Sequence, residues 1–179
     1  ERRAGIPSAL AAAKAGRKPW VLDPVFVDAS PVRLEFARQC LAGRPSVLRC
    51  NASEFAALAC AEPSPGAIGA FAQNHRTVVA LTGPVDRVTD GARTVAIANG
   101  HPLMARITAM GCAATALVAA FAALHGDALE AAAAALLVAG IAGELAGGKA
   151  QGPGSFQPAF LDALFALDAE TIAARARPA

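Results

Sequence analysis

No two of the four cysteines, Cys40, Cys50, Cys60 and Cys112, stand at the CxxC spacing of a zinc or redox pair, and four in 179 residues is too few for a disulfide scaffold. Reduced thiols in a cytoplasm are the expected state. His75, His101 and His125 show no ligand spacing, which sets aside a histidine-held metal. Charge is scarce as well: 17% of residues are charged, and 16 Lys and Arg against 14 Asp and Glu leave a net +2. No basic cluster forms the footprint of a nucleic-acid binder. Residues 1–15 lack the unbroken apolar core and cleavage motif of an export signal. No internal repeat or linker divides the chain, so a single domain over 1–179 is expected.

What is abundant is apolar. Hydrophobic residues make up 55% of the chain, much of it alanine, which marks a strongly globular sequence. The uncharged stretch Ile107 to Leu124 is long enough to be taken for a membrane span, but it is rich in Ala, Gly and Thr and poor in large aliphatics. It reads as a loop followed by a helix buried on most sides. The run Ala131 to Gly143, bracketed by Glu130 and Glu144, is too short to cross a bilayer and reads as another core helix.

Strand-like and helix-like segments alternate in the first half, the pattern of an α/β fold with a mostly parallel sheet and crossover helices. Trp20 to Leu22, Ser46 to Arg49 and Thr77 to Leu81 are the strand runs. Helices are expected from Pro31 to Ala42 and from Asn51 to Leu58, the latter opened by an Asn51/Glu54 capping box. Val85 to Thr89 and Arg93 to Ala98 flank Asp90-Gly91 as an antiparallel hairpin at the sheet edge. Helices over 111–124, 127–147 and 158–174 complete the chain, broken by Gly126 and by Gly152-Pro153-Gly154.

Such sheets bind ligands at the carboxyl ends of their strands. The residues to weigh there are Asp23, then Arg49 with Asn51 and Glu54, then Thr82 with Gly83. The turn Ala109-Met110-Gly111-Cys112 adds a helix start, where free N–H groups and the helix dipole favour an anion. Together they suggest a phosphate site. Each has a plainer alternative: a helix cap and a surface arginine for Asn51, Glu54 and Arg49, a turn residue for Asp23, a core thiol for Cys112. Gly143-Glu144-Leu145-Ala146-Gly147-Gly148-Lys149-Ala150 nearly matches a phosphate loop, but Ala150 lacks the metal-binding hydroxyl and no strand precedes it. Gly147-Gly148 reads as a helix C-cap. The Asn51-Ala52-Ser53 sequon carries no meaning without export.

These residues carry a resemblance. Trp20-Val21-Leu22-Asp23-Pro24-Val25, Arg49-Cys50-Asn51-Ala52-Ser53-Glu54, Leu81-Thr82-Gly83 with Asp86, Thr89-Asp90-Gly91, Asn99-Gly100 and Gly111-Cys112 occur in the order of the hydroxyethylthiazole kinases, which they resemble, and at similar spacing. The most specific piece is Gly152-Pro153-Gly154-Ser155-Phe156 followed by Phe160-Leu161-Asp162-Ala163-Leu164. The resemblance implies a ribokinase-like three-layer fold whose amino-terminal strands, with a Thr-Asn segment lining the thiazole pocket, have no counterpart in this sequence. It implies transfer of the ATP γ-phosphoryl group to the alcohol of 4-methyl-5-(2-hydroxyethyl)thiazole, with magnesium, in a homotrimer with sites between subunits.

By the family's pattern Arg49, Asn51, Thr82 and Gly83 would contact ATP, and Asp23 and Glu54 would hold magnesium directly or through water. Ala109, Met110 and Gly111 would form the anion hole beside the alcohol. Cys112 stands where sugar kinases of this fold carry an aspartate base, and a thiol at a helix start can have a lowered pKa. This chain departs from the family at three places: Cys50 stands for a glycine, Ala109-Met110 for Gly-Thr, and Phe26 and Asp28 for small residues. Backbone donors survive the change at Ala109 and Met110 provided neither needs a positive φ. A hydroxymethylpyrimidine-type kinase and a noncatalytic pseudokinase are the alternatives, separated by which alcohol is phosphorylated and by whether ATP is consumed.

Overall fold

The computed structural model describes residues 2–177, with backbone alone for residues 2 and 3; Glu1 and residues 178 and 179 of the expected 1–179 domain lie outside them. A first helix, α1 (Arg2–Ala15), leads into β1 (Val21–Leu22), and α2 (Pro31–Leu41) crosses to β2 (Val47–Asn51). Two helices, α3 (Ala52–Ala59) and α4 (Pro65–His75), then cross to β3 (Val78–Thr82). The hairpin β4 (Asp86–Thr89) and β5 (Thr94–Ile97) follows, then α5 (Met110–Leu124), α6 (Ala128–Gly147), α7 (Pro153–Ala166) and α8 (Ala169–Arg175).

Most helix starts are written in side chains that accept the otherwise unpaired first N–H groups. Ser30 and Ser64 cap α2 and α4, each with a proline in the first turn, and Asp127 and Asp168 cap α6 and α8. At α3 the capping box is complete: Asn51 Oδ1 accepts the Glu54 N–H at 2.9 Å and Glu54 Oε2 accepts the Asn51 N–H at 3.0 Å.

The five strands lie in the order β1-β2-β3-β4-β5. The first three are parallel, with Val21 opposite Val47 and Asn51 opposite Thr82, and the hairpin adds two antiparallel strands at the far edge. Alternation along β2 and β3 sends successive residues to opposite faces. Leu48, Cys50, Val79 and Leu81 meet Leu41, Phe55, Ile68 and Phe71 of α2 to α4. Val47, Val78, Ala80, Val88 and Ile97 meet Ala114 and Val118 of α5 and Leu129, Ala132 and Leu136 of α6. The result is helix, sheet and helix in three layers, with α7 seated on α6 through Phe156 and Phe160.

Several expectations need correction. Helix α5 begins at Met110 and buries only Ala114, Val118 and Ala122, so it lies against the sheet by one stripe and is not buried on most sides. The run Ala131 to Gly143 belongs to a 20-residue helix, the one described helix long and apolar enough to cross a membrane by length and composition. More than half of that helix is buried against α5, α7 and the sheet, the place of a core helix. The helix expected over 158–174 starts at Pro153 and breaks at Leu167-Asp168, because Asp168 caps a new helix by accepting the Thr171 N–H at 2.8 Å. Helices α1 and α4 were not expected, nor was the 3-10 helix Pro102–Arg106.

Candidate active site

Arg49 stands at the centre of the carboxyl ends of the parallel strands. Its place in β2 turns the side chain to the α5 face, where it is 14% exposed rather than a surface arginine. Nη2 donates to Thr82 Oγ1 at 2.9 Å, and Nη1 lies 3.7 Å from Asp23 Oδ1. Thr82 in turn donates its hydroxyl to the Cys50 carbonyl at 3.3 Å. The start of α5 closes on the same guanidinium: a Cβ on Gly111 would sit 2.7 Å from Arg49 Nη1, so only glycine leaves the arginine where it is. Helix α5 has no side-chain cap, so its first turn presents the N–H groups expected of an anion hole.

Asp23 is held from α5 too. Thr115 Oγ1 donates to its Oδ2 at 2.7 Å, while Oδ1 is buried without a hydrogen-bond partner among the described residues. Arg49 Nε is likewise buried and unpartnered. Polar atoms withdrawn from water in this way call for a ligand, a metal or water. Glu54 is buried nearby, at 5% exposure, and takes two backbone N–H groups, from Asn51 to Oε2 and from Phe26 to Oε1 at 3.2 Å.

The structure thus brings Asp23, Arg49, Thr82 and Gly111 together, while Glu54, in the first turn of α3, accepts the Phe26 N–H from the loop after β1. Asn51 is committed at its side-chain oxygen to capping α3, as its plainer reading had it, and Gly83 is exposed. Cys112 is exposed one residue beyond Gly111, and its thiol has no hydrogen-bond partner among the described residues. Met110 is half-buried against the α6–α7 cluster. Ala109 carries φ 65°, so the proviso that it needs no positive φ is not met. Phe26 is in the same left-handed region at φ 58°, and the residue is 63% exposed. Cys50 points away from the site into the core between sheet and α3, where burial first, then Glu54 and Asp23, push its thiol up to about 12, against the pull of Arg49.

Two further residues border the site. Thr115 is the only hydroxyl in α5 and falls four residues after Gly111, on the same helical face, which is the signal that points to it. Asp86 belongs to the Thr82-Gly83 motif; its Oδ1 accepts the Gly83 N–H at 2.9 Å.

A family model described as the hydroxyethylthiazole kinase family matches residues 1–170. The chain belongs to that family. A hydroxyethylthiazole kinase of Granulibacter bethesdensis is 47% identical over 189 residues, covering 98% of this chain and 69% of the relative. One from Cereibacter sphaeroides is 48% identical, covering 97% of this chain and 71% of its own length. The solved structure of a hydroxyethylthiazole kinase protein from Pyrococcus horikoshii OT3 superposes with TM-score 0.93 at 36% identity, over 99% of this chain and 71% of that one. A Bacillus subtilis pyridoxal kinase, solved as an ADP complex, shares the fold at TM-score 0.58 and 22% identity, over 76% of this chain and 58% of its own. The architecture is ribokinase-like, and the family makes the chain a kinase.

Proposed function

We propose that this hydroxyethylthiazole kinase family member transfers the γ-phosphoryl group of ATP to the hydroxyethyl oxygen of 4-methyl-5-(2-hydroxyethyl)thiazole, a thiamine-salvage step, with residues 1–179 forming the carboxyl-terminal majority of a single kinase domain. The observation that carries it is the convergence of Arg49, Thr82, Asp23 and the uncapped start of α5 at the carboxyl ends of β1 to β3. Phosphoryl transfer is catalysed by positioning and charge stabilisation more than by covalent chemistry. Arg49 supplies a cation to the nucleotide phosphates and Thr82, by turning its hydroxyl away from the Cys50 carbonyl, a donor, with Asn51 and Gly83 at the rim. The N–H groups that follow Ala109, at Met110 and Gly111, face the oxygens on which charge develops.

The unpartnered Asp23 Oδ1 and the buried Glu54 carboxylate suit magnesium, Asp23 directly and Glu54 through water, since both Glu54 oxygens already accept an N–H. Bound there, the ion would neutralise phosphate charge and bridge it to the protein. Cys112 borders the anion hole and either takes the alcohol proton or shapes the alcohol's seat. The protein works as a homotrimer with sites between subunits. Four free thiols, two of them buried, suit a reducing cytoplasm.

ADP release by the complete protein with ATP, magnesium and hydroxyethylthiazole tests the reading. No release above background would sink it, and release only with a hydroxymethylpyrimidine would move it to that alcohol. Cys112→Ala is expected to slow turnover by about ten- to ten-thousandfold if the thiol moves the proton, and Cys112→Asp to retain it. An alanine variant as fast as wild type removes Cys112 from the chemistry.

A further inference from the structure

Between β3 and β4 the chain turns through Gly83, Pro84 and Val85, and Asp86 closes the turn by accepting the Gly83 N–H at 2.9 Å. Gly83 is the most mobile residue type at the most exacting place, one peptide from Thr82. Thr82 Oγ1 is the acceptor for Arg49 Nη2 at 2.9 Å, and Arg49 reaches on to Asp23 at 3.7 Å. A single line of contacts therefore runs from Asp86 through Gly83 and Thr82 to the guanidinium. Asp86 keeps this position at a cost: burial pushes its carboxyl up to about 6, relieved in part by the Gly83 N–H and by Arg49.

We infer that Asp86 is a positioning residue for phosphoryl transfer, its carboxylate pinning the Gly83 N–H so that Thr82 and Arg49 are held in register for the nucleotide phosphates. This rests on the reading that Arg49 and Thr82 contact those phosphates. The hydrogen bond is what acts, so an amide in place of the carboxylate serves, and removal or displacement of the acceptor does not. A misplacement of about 1 Å at a phosphate contact can cost about a hundredfold.

Steady-state kinetics of the complete protein, with ATP and hydroxyethylthiazole varied separately, test it. Asp86→Ala is expected to raise the KM for ATP by about ten- to a hundredfold while the KM for the thiazole barely moves. Asp86→Glu, which displaces the acceptor by one methylene, is expected to do likewise and stands in should the alanine variant fail to fold. Asp86→Asn, whose amide oxygen still accepts the Gly83 N–H, is expected to stay near wild type. A wild-type ATP KM in the folded alanine or glutamate variant means that Asp86 only stabilises a turn, and overturns the inference. An asparagine variant as impaired as alanine overturns it as well, because charge and not the pin would then matter. Arg49→Gln and Thr82→Val, measured alongside, separate the two readings: if they leave the ATP KM unchanged the phosphate reading fails with this one, and if they raise it while Asp86→Ala does not, this one fails alone.

Discussion

Ala109 sits in a backbone region that its own methyl group resists. A left-handed L-residue costs about 1 to 2 kcal/mol, and at φ 65° Ala109 meets that cost at the hinge between the preceding turn and α5. Ala109→Gly is therefore expected to stabilise the protein by about 1 kcal/mol, a rise in Tm of about 2 to 4 °C by calorimetry, for a chain of this size. An unchanged or lower Tm would mean that the methyl packs well enough to offset the strain. Gly111 has the opposite constraint, since an added Cβ would meet Arg49 Nη1 at 2.7 Å. The arginine end is the part that gives way, so Gly111→Ala is expected to lower kcat/KM for ATP by tenfold or more, about 1.4 kcal/mol, with little change in Tm. Wild-type kinetics would place Arg49 outside the nucleotide site. Asp86 adds a pH signature. Its folded-state pKa of about 6 lies above the ordinary 3.8, so the folded protein binds this proton more tightly than the unfolded chain. The contribution to stability is full below about pH 4 and falls away as pH rises to about 6. Urea midpoints compared between wild type and Asp86→Asn over that window should show the wild type losing stability relative to the variant as pH increases; a constant difference would contradict the burial argument.

At the scale of elements, Gly140, Gly143 and Gly147 of α6 let the segment after β5 press against the helix. A Cβ on Gly140 would stand 2.5 Å from the Asn99 carbonyl oxygen, and those on Gly143 and Gly147 would strike Met104 and His101. Asn99 cannot yield easily, because its amide is buried and donates to Glu144 and to the Arg175 carbonyl while accepting the Arg177 N–H. Gly140→Ala is expected to cost about 1 to 3 kcal/mol, seen as a lower urea midpoint at unchanged slope. None of this was legible in the sequence, where the three glycines read only as parts of an apolar run and a C-cap. The strands, the capping box and the hairpin were legible, because periodicity and turn residues act within a few positions. Helix α4 carries the same Ser-Pro start as α2, a signal that was there to read, and the break at Asp168 is hidden by the alanines around it. The site was legible as a set of residues. The Asp23–Thr115 bond was not, since it joins residues 92 apart.

For the whole molecule the apolar content has more surface than one chain can hide. Helix α5 carries no charge, and beyond its buried stripe Ala116, Ala119, Ala120, Ala123 and Leu124 are exposed, the last at 90%. On α7, Leu161 and Phe165 lie one turn apart at 58% and 94% exposure. No residue of α1 whose side chain is described is buried. Scattered apolar residues are normal on a surface, but an uncharged helix face beside the proposed anion hole is a surface that association would cover. The chain spans about 70% of the relatives it matches, so the fair test uses the complete protein. Closed cyclic assembly brings the same face of each copy to a neighbour, and a face that begins at Cys112 would place the neighbour beside the alcohol site. Sedimentation of the complete protein at micromolar concentration is expected to give a trimer. A monomer with full activity would show that each chain builds its alcohol site alone and would end the shared-site reading.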